Sequence, residues 1–105
     1  MLTLGTQSIT FNNMKNIEWN DEKNEELQKE RGVCFEDVVV CLLNNKVIDI
    51  IRHPNSKRYP NQKLFILKIN NYIYMVPFVE DENKIFLKTI IPSRKMNKKY
   101  LHWGE

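Results

Sequence analysis

Four cations lie close together near the C-terminal end of this 105-residue chain: Arg94, Lys95, Lys98 and Lys99. Pro92 precedes them and is expected to end a strand, because proline has no backbone N–H to donate. Ser93 follows as a good helix N-cap. Residues 84–100 therefore predict a buried strand followed by a helix that carries positive charge. Arginine and lysine side chains bind phosphate oxygens, so this cluster suits a polyanionic partner.

The rest of the chain shows the same bias towards positive charge in its second half. Residues 1–45 contain four Lys or Arg and eight Asp or Glu, a net charge of −4. Residues 46–105 contain twelve Lys or Arg and five Asp or Glu, a net charge of +7. A solvated basic surface is one explanation, and nucleic-acid binding is the other.

The composition is typical of an ordinary folded domain, with 42% hydrophobic and 28% charged residues. No apolar run is long enough to span a bilayer and no signal peptide is recognisable, so we expect a cytoplasmic protein with no membrane partner. Cys34 and Cys41 lie seven residues apart in one predicted helix, which is unfavourable for a disulfide between them. His53 and His102 are the only histidines. We therefore expect neither a metal site nor a cofactor.

Two helices are predicted before residue 46. The first is capped by Asn20, has acidic residues in its first turn, and ends at Arg31 before Gly32, which can adopt the left-handed conformation. Its body is polar, so only a narrow stripe around Leu27 can pack. The second helix, residues 35–45, has apolar residues at i, i+3, i+4, i+7 and i+8, which favours packing on a sheet.

Four strands and a last helix are predicted after these, the strands at Val47–Arg52, Lys63–Ile69, 72–79 and 84–91. Asn70-Asn71 suits a tight hairpin, and Pro77 implies a bulge or a locally unpaired position. The last helix runs from Ser93 to about His102. The predicted architecture is α+β, with two N-terminal helices, a four-stranded mostly antiparallel sheet and a C-terminal helix, and the helices cover one face of the sheet.

The N-terminal residues carry little pattern. We expect residues 1–13 to be an extension, either disordered or adding an edge strand, and residues 14–105 to form a single domain. Trp19 is expected to be a core residue.

Two stretches of the chain resemble the BrnT family of bacterial toxins. Residues 17–38, IEWNDEKNEELQKERGVCFEDV, are similar to the family's N-terminal signature: a Trp-Asp, a Lys three residues later, a Lys-His-Gly and then a Ser-Phe-Glu. Residues 90–95, IIPSRK, look like the family's strand that ends in Ile-Ser-Ala-Arg before a basic helix. The resemblance covers roughly residues 15–101 and implies a fold like that of the RelE group.

The resemblance also implies a function. It points to a ribonuclease toxin of a type II toxin–antitoxin pair, which cleaves RNA without a metal and so inhibits translation. It implies a cognate DNA-binding antitoxin, often of ribbon-helix-helix type, and we expect either a homodimer or a toxin–antitoxin heterotetramer. The catalytic candidates are Arg94, Lys23, Arg31 and Tyr100, and the RNA-binding candidates are Lys95, Lys98, Lys99 and Arg58.

The chemistry explains why these residue types are chosen. RNA cleavage needs an activated 2′-hydroxyl, stabilisation of charge on the phosphorane and a proton for the leaving oxygen. Arg94 is the strongest candidate for charge stabilisation, because it follows directly on a strand that fixes its position. Lys23 and Arg31 lie eight residues apart on the first helix, roughly on one face. Tyr59, Tyr100 or a lysine with a depressed pKa could move protons.

This chain departs from the family pattern at three positions. Asn20 stands in place of the usual Asp, Arg31 in place of the usual His, and Cys34 in place of the usual Ser. Without that His, the chain lacks there the one side chain whose ordinary pKa suits proton transfer near neutral pH. Another residue must then supply the acid or base, or catalysis depends on electrostatics alone.

Each candidate also has a structural interpretation. Arg94 can cap a helix or pair with Glu36 or Asp37, and Lys23 can be a solvated helix residue. Arg31 suits a helix C-terminus through the dipole alone, and Tyr100 can pack on the sheet. The alternative function is a non-catalytic module, derived from the toxin fold, that binds nucleic acid or a partner protein.

Overall fold

The computed structural model describes residues 6–11 and 15–101, with side chains described for residues 16–99. Within these ranges the chain has an α+β fold, a mixed seven-stranded sheet with three helices. The strands are β1 (Thr6–Phe11), β2 (Lys15–Asn20), β3 (Val47–Arg52), β4 (Lys63–Ile69), β5 (Tyr72–Glu80), β6 (Lys84–Leu87) and β7 (Ile91–Pro92). The helices are α1 (Asp21–Arg31), α2 (Phe35–Leu43) and α3 (Arg94–Leu101).

The ends of α1 and α2 follow local sequence signals. The Asn20 side chain accepts a 3.0 Å hydrogen bond from the backbone N–H of Lys23, as an N-cap does. Gly32 ends α1 with φ 68°, in the left-handed region that glycine adopts without strain. Both predictions are confirmed, and α2 ends at Leu43, two residues before the predicted boundary.

The sheet has the order β1-β2-β6-β5-β4-β3, and β7 pairs with β5. Strands β3, β4, β5 and β6 form the antiparallel meander that the sequence predicts. The predicted count of four strands is wrong, because β2 lies parallel to β6 and β1 lies antiparallel to β2. β2 contributes few apolar residues, of which Ile17 faces Ile85 in the register, and so its pattern is too short to predict a strand.

Helices cover both faces of the sheet, and the prediction that they cover one face is wrong. In β4, Phe65 and Leu67 belong to the core cluster that includes α1 and α2 residues, whereas Leu64 and Ile66 belong to a second cluster that packs against Met96 of α3. Successive residues of a strand point to opposite faces. Since β4 is apolar at all four of these positions, each face needs its own cover.

The predicted strand 84–91 is interrupted. β6 leaves β5 after Leu87, and β7 rejoins it at Ile91. Pro77 of β5 lies opposite this gap, where its carbonyl accepts a 2.8 Å hydrogen bond from the N–H of Lys88. The N and O atoms of one strand residue point to the same side, so the missing N–H of Pro77 also faces the gap. The predicted irregularity at Pro77 is confirmed.

The last helix begins where Ser93 predicts. The hydroxyl of Ser93 accepts a 3.1 Å hydrogen bond from the N–H of Met96. β7 ends at Pro92, as predicted, with Pro92 as its last paired residue. The predicted end of the helix near His102 lies outside the described residues.

Within residues 1–13, which the sequence predicts to be either disordered or an added edge strand, β1 pairs with β2 at one edge of the sheet. Thr6–Phe11 is therefore an edge strand. The division into an extension and a domain that starts at residue 14 stays a prediction.

Candidate functional site

The first stretch of the family resemblance builds the corner between β2, α1 and α2. Trp19 and Phe35 are both buried, with ring centroids 5.9 Å apart. Asn24, which is 9% exposed, accepts a 2.7 Å hydrogen bond from the N–H of Phe35 and donates one of 2.8 Å to Glu36. The core position predicted for Trp19 is confirmed, and Asn24 fixes α1 against α2 by satisfying a buried N–H.

Contacts in this corner shift the pKa values of Glu36 and Cys34. Burial works against the Glu36 carboxylate, but hydrogen bonds from the Asn24 side chain and from the backbone outweigh it and lower the pKa of Glu36. The N–H and the thiol of Cys34 both donate to the Asp37 carboxylate, at 3.1 and 3.4 Å. Burial first, and then the nearby Asp37 carboxylate, raise the pKa of the Cys34 thiol. Cys34 is therefore a capping residue with little thiolate near neutral pH.

Arg31 connects the two stretches of the resemblance. Its Nη1 atom donates a hydrogen bond to the carbonyl of Ile90, 59 residues further along the chain. Ile90 is buried and lies in the interruption between β6 and β7, where its carbonyl has left the sheet ladder. The guanidinium thus reaches from the C-terminal end of α1 to the segment that leads into α3.

α3 presents its cations on the surface. Met96 packs against the sheet, and the Asn97 side chain accepts a 3.1 Å hydrogen bond from the N–H of Ile73. The predicted candidates Arg94, Lys95, Lys98 and Lys99 are all exposed. Glu36 and Asp37, the proposed alternative partners of Arg94, bond instead to Asn24 and Cys34. The backbone of Tyr100 lies in α3, but its side chain is outside the described residues.

The other two candidates are less closely associated with α3. Lys23 is half-buried in the first turn of α1, at the opposite end of that helix from Arg31. Arg58 lies in the loop between β3 and β4, which enters β4 at Lys63, opposite Phe78 of β5. α3 begins near Ile73, whose carbonyl accepts a hydrogen bond from the N–H of Ser93. At about 3.4 Å per strand residue, these two ends of β5 lie roughly 17 Å apart.

Exposed apolar side chains and a groove are found on α2, β3 and the neighbouring strands. The exposed large hydrophobic residues of the described chain all belong to α2 or β3: Val40, Leu43, Ile48 and Ile50. Of these four, Ile50 also lines a groove of about 470 Å³, together with Leu42, Phe65 and Phe78. Apolar surface of this kind commonly marks an interaction site. The sequence contains these residues as ordinary helix and strand patterns, so nothing in it separates them from core positions.

A second cleft, of about 330 Å³, lies at the base of the loop that contains Arg58. Among the residues in the described ranges, no group of three or more His, Cys, Asp or Glu is placed to hold a metal ion. In that same part of the chain, no helix is long and apolar enough to cross a membrane.

Comparison of the chain with models of known protein families, with curated proteins and with solved structures gave no significant match.

Proposed function

We propose that this protein is a BrnT-like ribonuclease toxin of a type II toxin–antitoxin pair, with a RelE-like fold, which cleaves RNA and so inhibits translation. The proposal starts from the resemblance of residues 17–38 and 90–95 to that family. Its catalytic candidates are Arg94, Arg31, Lys23 and Tyr100.

The hydrogen bond from Arg31 to the Ile90 carbonyl is the single observation that carries this proposal. The two stretches of the resemblance are separated by more than fifty residues of helix and strand. This contact joins the end of the first stretch to the beginning of the second, as two halves of one site would be joined.

Arg94 is proposed to stabilise the charge that develops on the phosphorane. It is exposed, and it is the first residue of α3, so an anion near its guanidinium also meets the positive end of the helix dipole. A planar guanidinium donates two parallel hydrogen bonds to phosphate oxygens and stays charged at every working pH. Lys95, Lys98 and Lys99 add steering charge on the same helix.

Arg31 has a different proposed role. Its Nη1 atom is already used by Ile90, so it holds the strand end beside Arg94 and adds positive charge there. Lys23 is a further candidate for charge stabilisation, and Tyr100 is the proposed group for proton transfer.

A cognate antitoxin is part of the proposal. The groove lined by Leu42, Ile50, Phe65 and Phe78 is the surface that we propose it covers. The same surface would serve a homodimer or a heterotetramer.

A second function is favoured by the corner between α1 and α2. There, Trp19, Gly32, Cys34, Phe35 and Glu36 each have a packing, conformational or hydrogen-bonding role. The first stretch of the resemblance is therefore explained by folding alone. A non-catalytic module that binds nucleic acid or a partner through α3 would contain the same residues at this corner.

Expression of the protein with and without Arg94→Ala decides between the two functions. The toxin proposal expects growth arrest that Arg94→Ala relieves, and cleavage of single-stranded RNA by the purified protein. The binding module expects RNA binding with a steep dependence on salt but intact RNA under single-turnover conditions. Lys88→Ala is the matched control, since Lys88 is an exposed cation six residues before Arg94.

A further inference from the structure

The loop between β3 and β4, residues 53–62, is an ordered structure closed by its own hydrogen bonds. The N–H of His53 donates to the carbonyl of Gln62 at 3.1 Å, across the base of the loop. Inside it, the N–H of Tyr59 donates to Asn55 at 2.9 Å, and that of Gln62 donates to Tyr59 at 3.2 Å. These bonds fix the tip of the loop, which is what a binding loop requires.

Two aromatic rings and a guanidinium are grouped on this loop. The centroids of His53 and Tyr59 lie 4.5 Å apart, with 42° between the ring planes. The guanidinium carbon of Arg58 lies 5.6 Å from the centroid of Tyr59. His53 Nδ1 accepts a 3.0 Å hydrogen bond from the N–H of Asn55, so the proton of the neutral ring is on Nε2. Both rings are half-buried, which leaves part of each surface in contact with solvent.

Positive charge surrounds these rings. From Arg52 to Lys63 the chain has four cations, Arg52, Lys57, Arg58 and Lys63, and no acidic residue. All four are exposed. Only Lys63 has an ion pair with a carboxylate in the described part of the chain, at 3.4 Å from Glu80.

The cleft of about 330 Å³ lies at the base of this loop and is lined by Arg52, Pro60, Asn61, Gln62, Lys63 and Glu80. Its volume is near the lower end of the range for small-molecule sites, about 300–1,000 Å³. The amide groups of Asn61 and Gln62 can each donate and accept hydrogen bonds, as base edges require. Cations for phosphates, rings for stacking and amides for base edges are therefore present in one place.

We propose that the β3–β4 loop and its cleft form a binding site for single-stranded RNA. Lys57 and Arg58 bind backbone phosphates, one base stacks on the rings of His53 and Tyr59, and a neighbouring base enters the cleft. Unpaired bases stack on aromatic and guanidinium planes in this way. The inference rests on the proposed function, since it takes the RNA to be the substrate.

The first test measures binding without cleavage. A fluorescent single-stranded oligonucleotide with 2′-O-methyl groups cannot be cleaved through its 2′-oxygens, and its anisotropy gives the affinity at several salt concentrations. Loss of two phosphate contacts in Lys57→Ala/Arg58→Ala should reduce the slope of log affinity against log salt by about 1.4, at roughly 0.7 per phosphate. The control variant, Lys29→Ala/Lys46→Ala, removes two exposed lysines outside the loop and should leave the slope unchanged.

The second test separates stacking from charge. Tyr59→Leu keeps an apolar side chain but removes the ring, and we expect the affinity to fall by about fivefold or more with an unchanged salt slope. Tyr72→Leu is the control, since Tyr72 is a half-buried tyrosine outside the loop. Thermal unfolding of each variant checks that its fold is intact.

Several results would overturn the inference. Equal slopes for the loop variant and its control would do so, as would loop-dependent binding to vesicles rich in phosphatidylserine with no effect on RNA. Failure of the loop site can also be distinguished from failure of the proposed function. If wild-type protein binds RNA through the loop but cleaves none, the loop site stands and the ribonuclease fails. If it cleaves RNA and the loop variants bind and cleave as the controls do, only the loop site fails.

Discussion

Replacing Asn24 by alanine should destabilise the protein, since Asn24 joins α1 to α2. Its Oδ1 atom accepts the hydrogen bond of the buried Phe35 N–H at 2.7 Å, and its Nδ2 atom donates to the Glu36 carboxylate at 2.8 Å. An unsatisfied buried N–H costs about 1–3 kcal/mol. The better helix propensity of alanine returns roughly 0.5 kcal/mol. The lost hydrogen bond to the Glu36 carboxylate adds roughly 0.5 kcal/mol. We therefore expect Asn24→Ala to lower the free energy of unfolding by about 2 kcal/mol.

Urea unfolding measures this change. With an m-value of about 2 kcal/mol/M, the midpoint should fall by roughly 1 M while m stays the same. Asn24→Asp keeps the acceptor for Phe35 but loses the donor to Glu36, so its midpoint should lie below that of the wild type. Glu25→Ala, at an exposed neighbouring position, is the control. An Asn24→Ala midpoint equal to that of Glu25→Ala would refute the role assigned to this residue.

Three further predictions concern the same corner. Because the pKa of Glu36 is lowered in the folded state, its contribution to stability is full above the ordinary value of 4.5 and is lost as the pH falls through the lowered pKa. Glu36→Gln should therefore destabilise the protein to urea at pH 7 but not at about pH 2, and an equal loss at both would contradict this. The raised pKa of Cys34 predicts that its alkylation at pH 7.4 is slower than that of a small-molecule thiol. The difference should disappear in denaturant. Alkylation faster than that of the small-molecule thiol would count against the capping role of Cys34. Gly32→Ala should lower the free energy of unfolding by about 1 kcal/mol through backbone strain alone, because φ is 68° and no atom lies within 4 Å of an added Cβ. A substitution with no effect on stability would show that α1 does not need this conformation.

Local signals in the sequence predict most of the helix and hairpin geometry. Asn20, Gly32, Ser93 and Asn70-Asn71 act through hydrogen bonds and φ values within a few residues, and each has the predicted role. The choice of sheet neighbour is not local. β2 pairs with β6 across more than sixty residues, and its own short pattern does not specify that partner.

In the candidate site, too, some features follow from local sequence and others depend on the assembled fold. The exposure of Arg94 and of the lysines of α3 follows from the polar side of an amphipathic helix. The contact between Arg31 and Ile90 depends on the gap in the ladder beside Pro77, which only the assembled sheet reveals. The buried role of Asn24 could have been suspected, since it lies three residues before Leu27 on the narrow packing stripe of α1.

Single-turnover cleavage of a single-stranded RNA by purified wild-type and Arg94→Ala protein tests the central claim most directly. Removal of one group that stabilises transition-state charge typically costs about 10²–10³ in rate. We predict cleavage by the wild type, a loss of this size in Arg94→Ala and an unchanged rate in Lys88→Ala. RNA that the wild type leaves intact, or that the wild type and Arg94→Ala cleave at equal rates, would contradict the claim that this protein is a ribonuclease acting through Arg94.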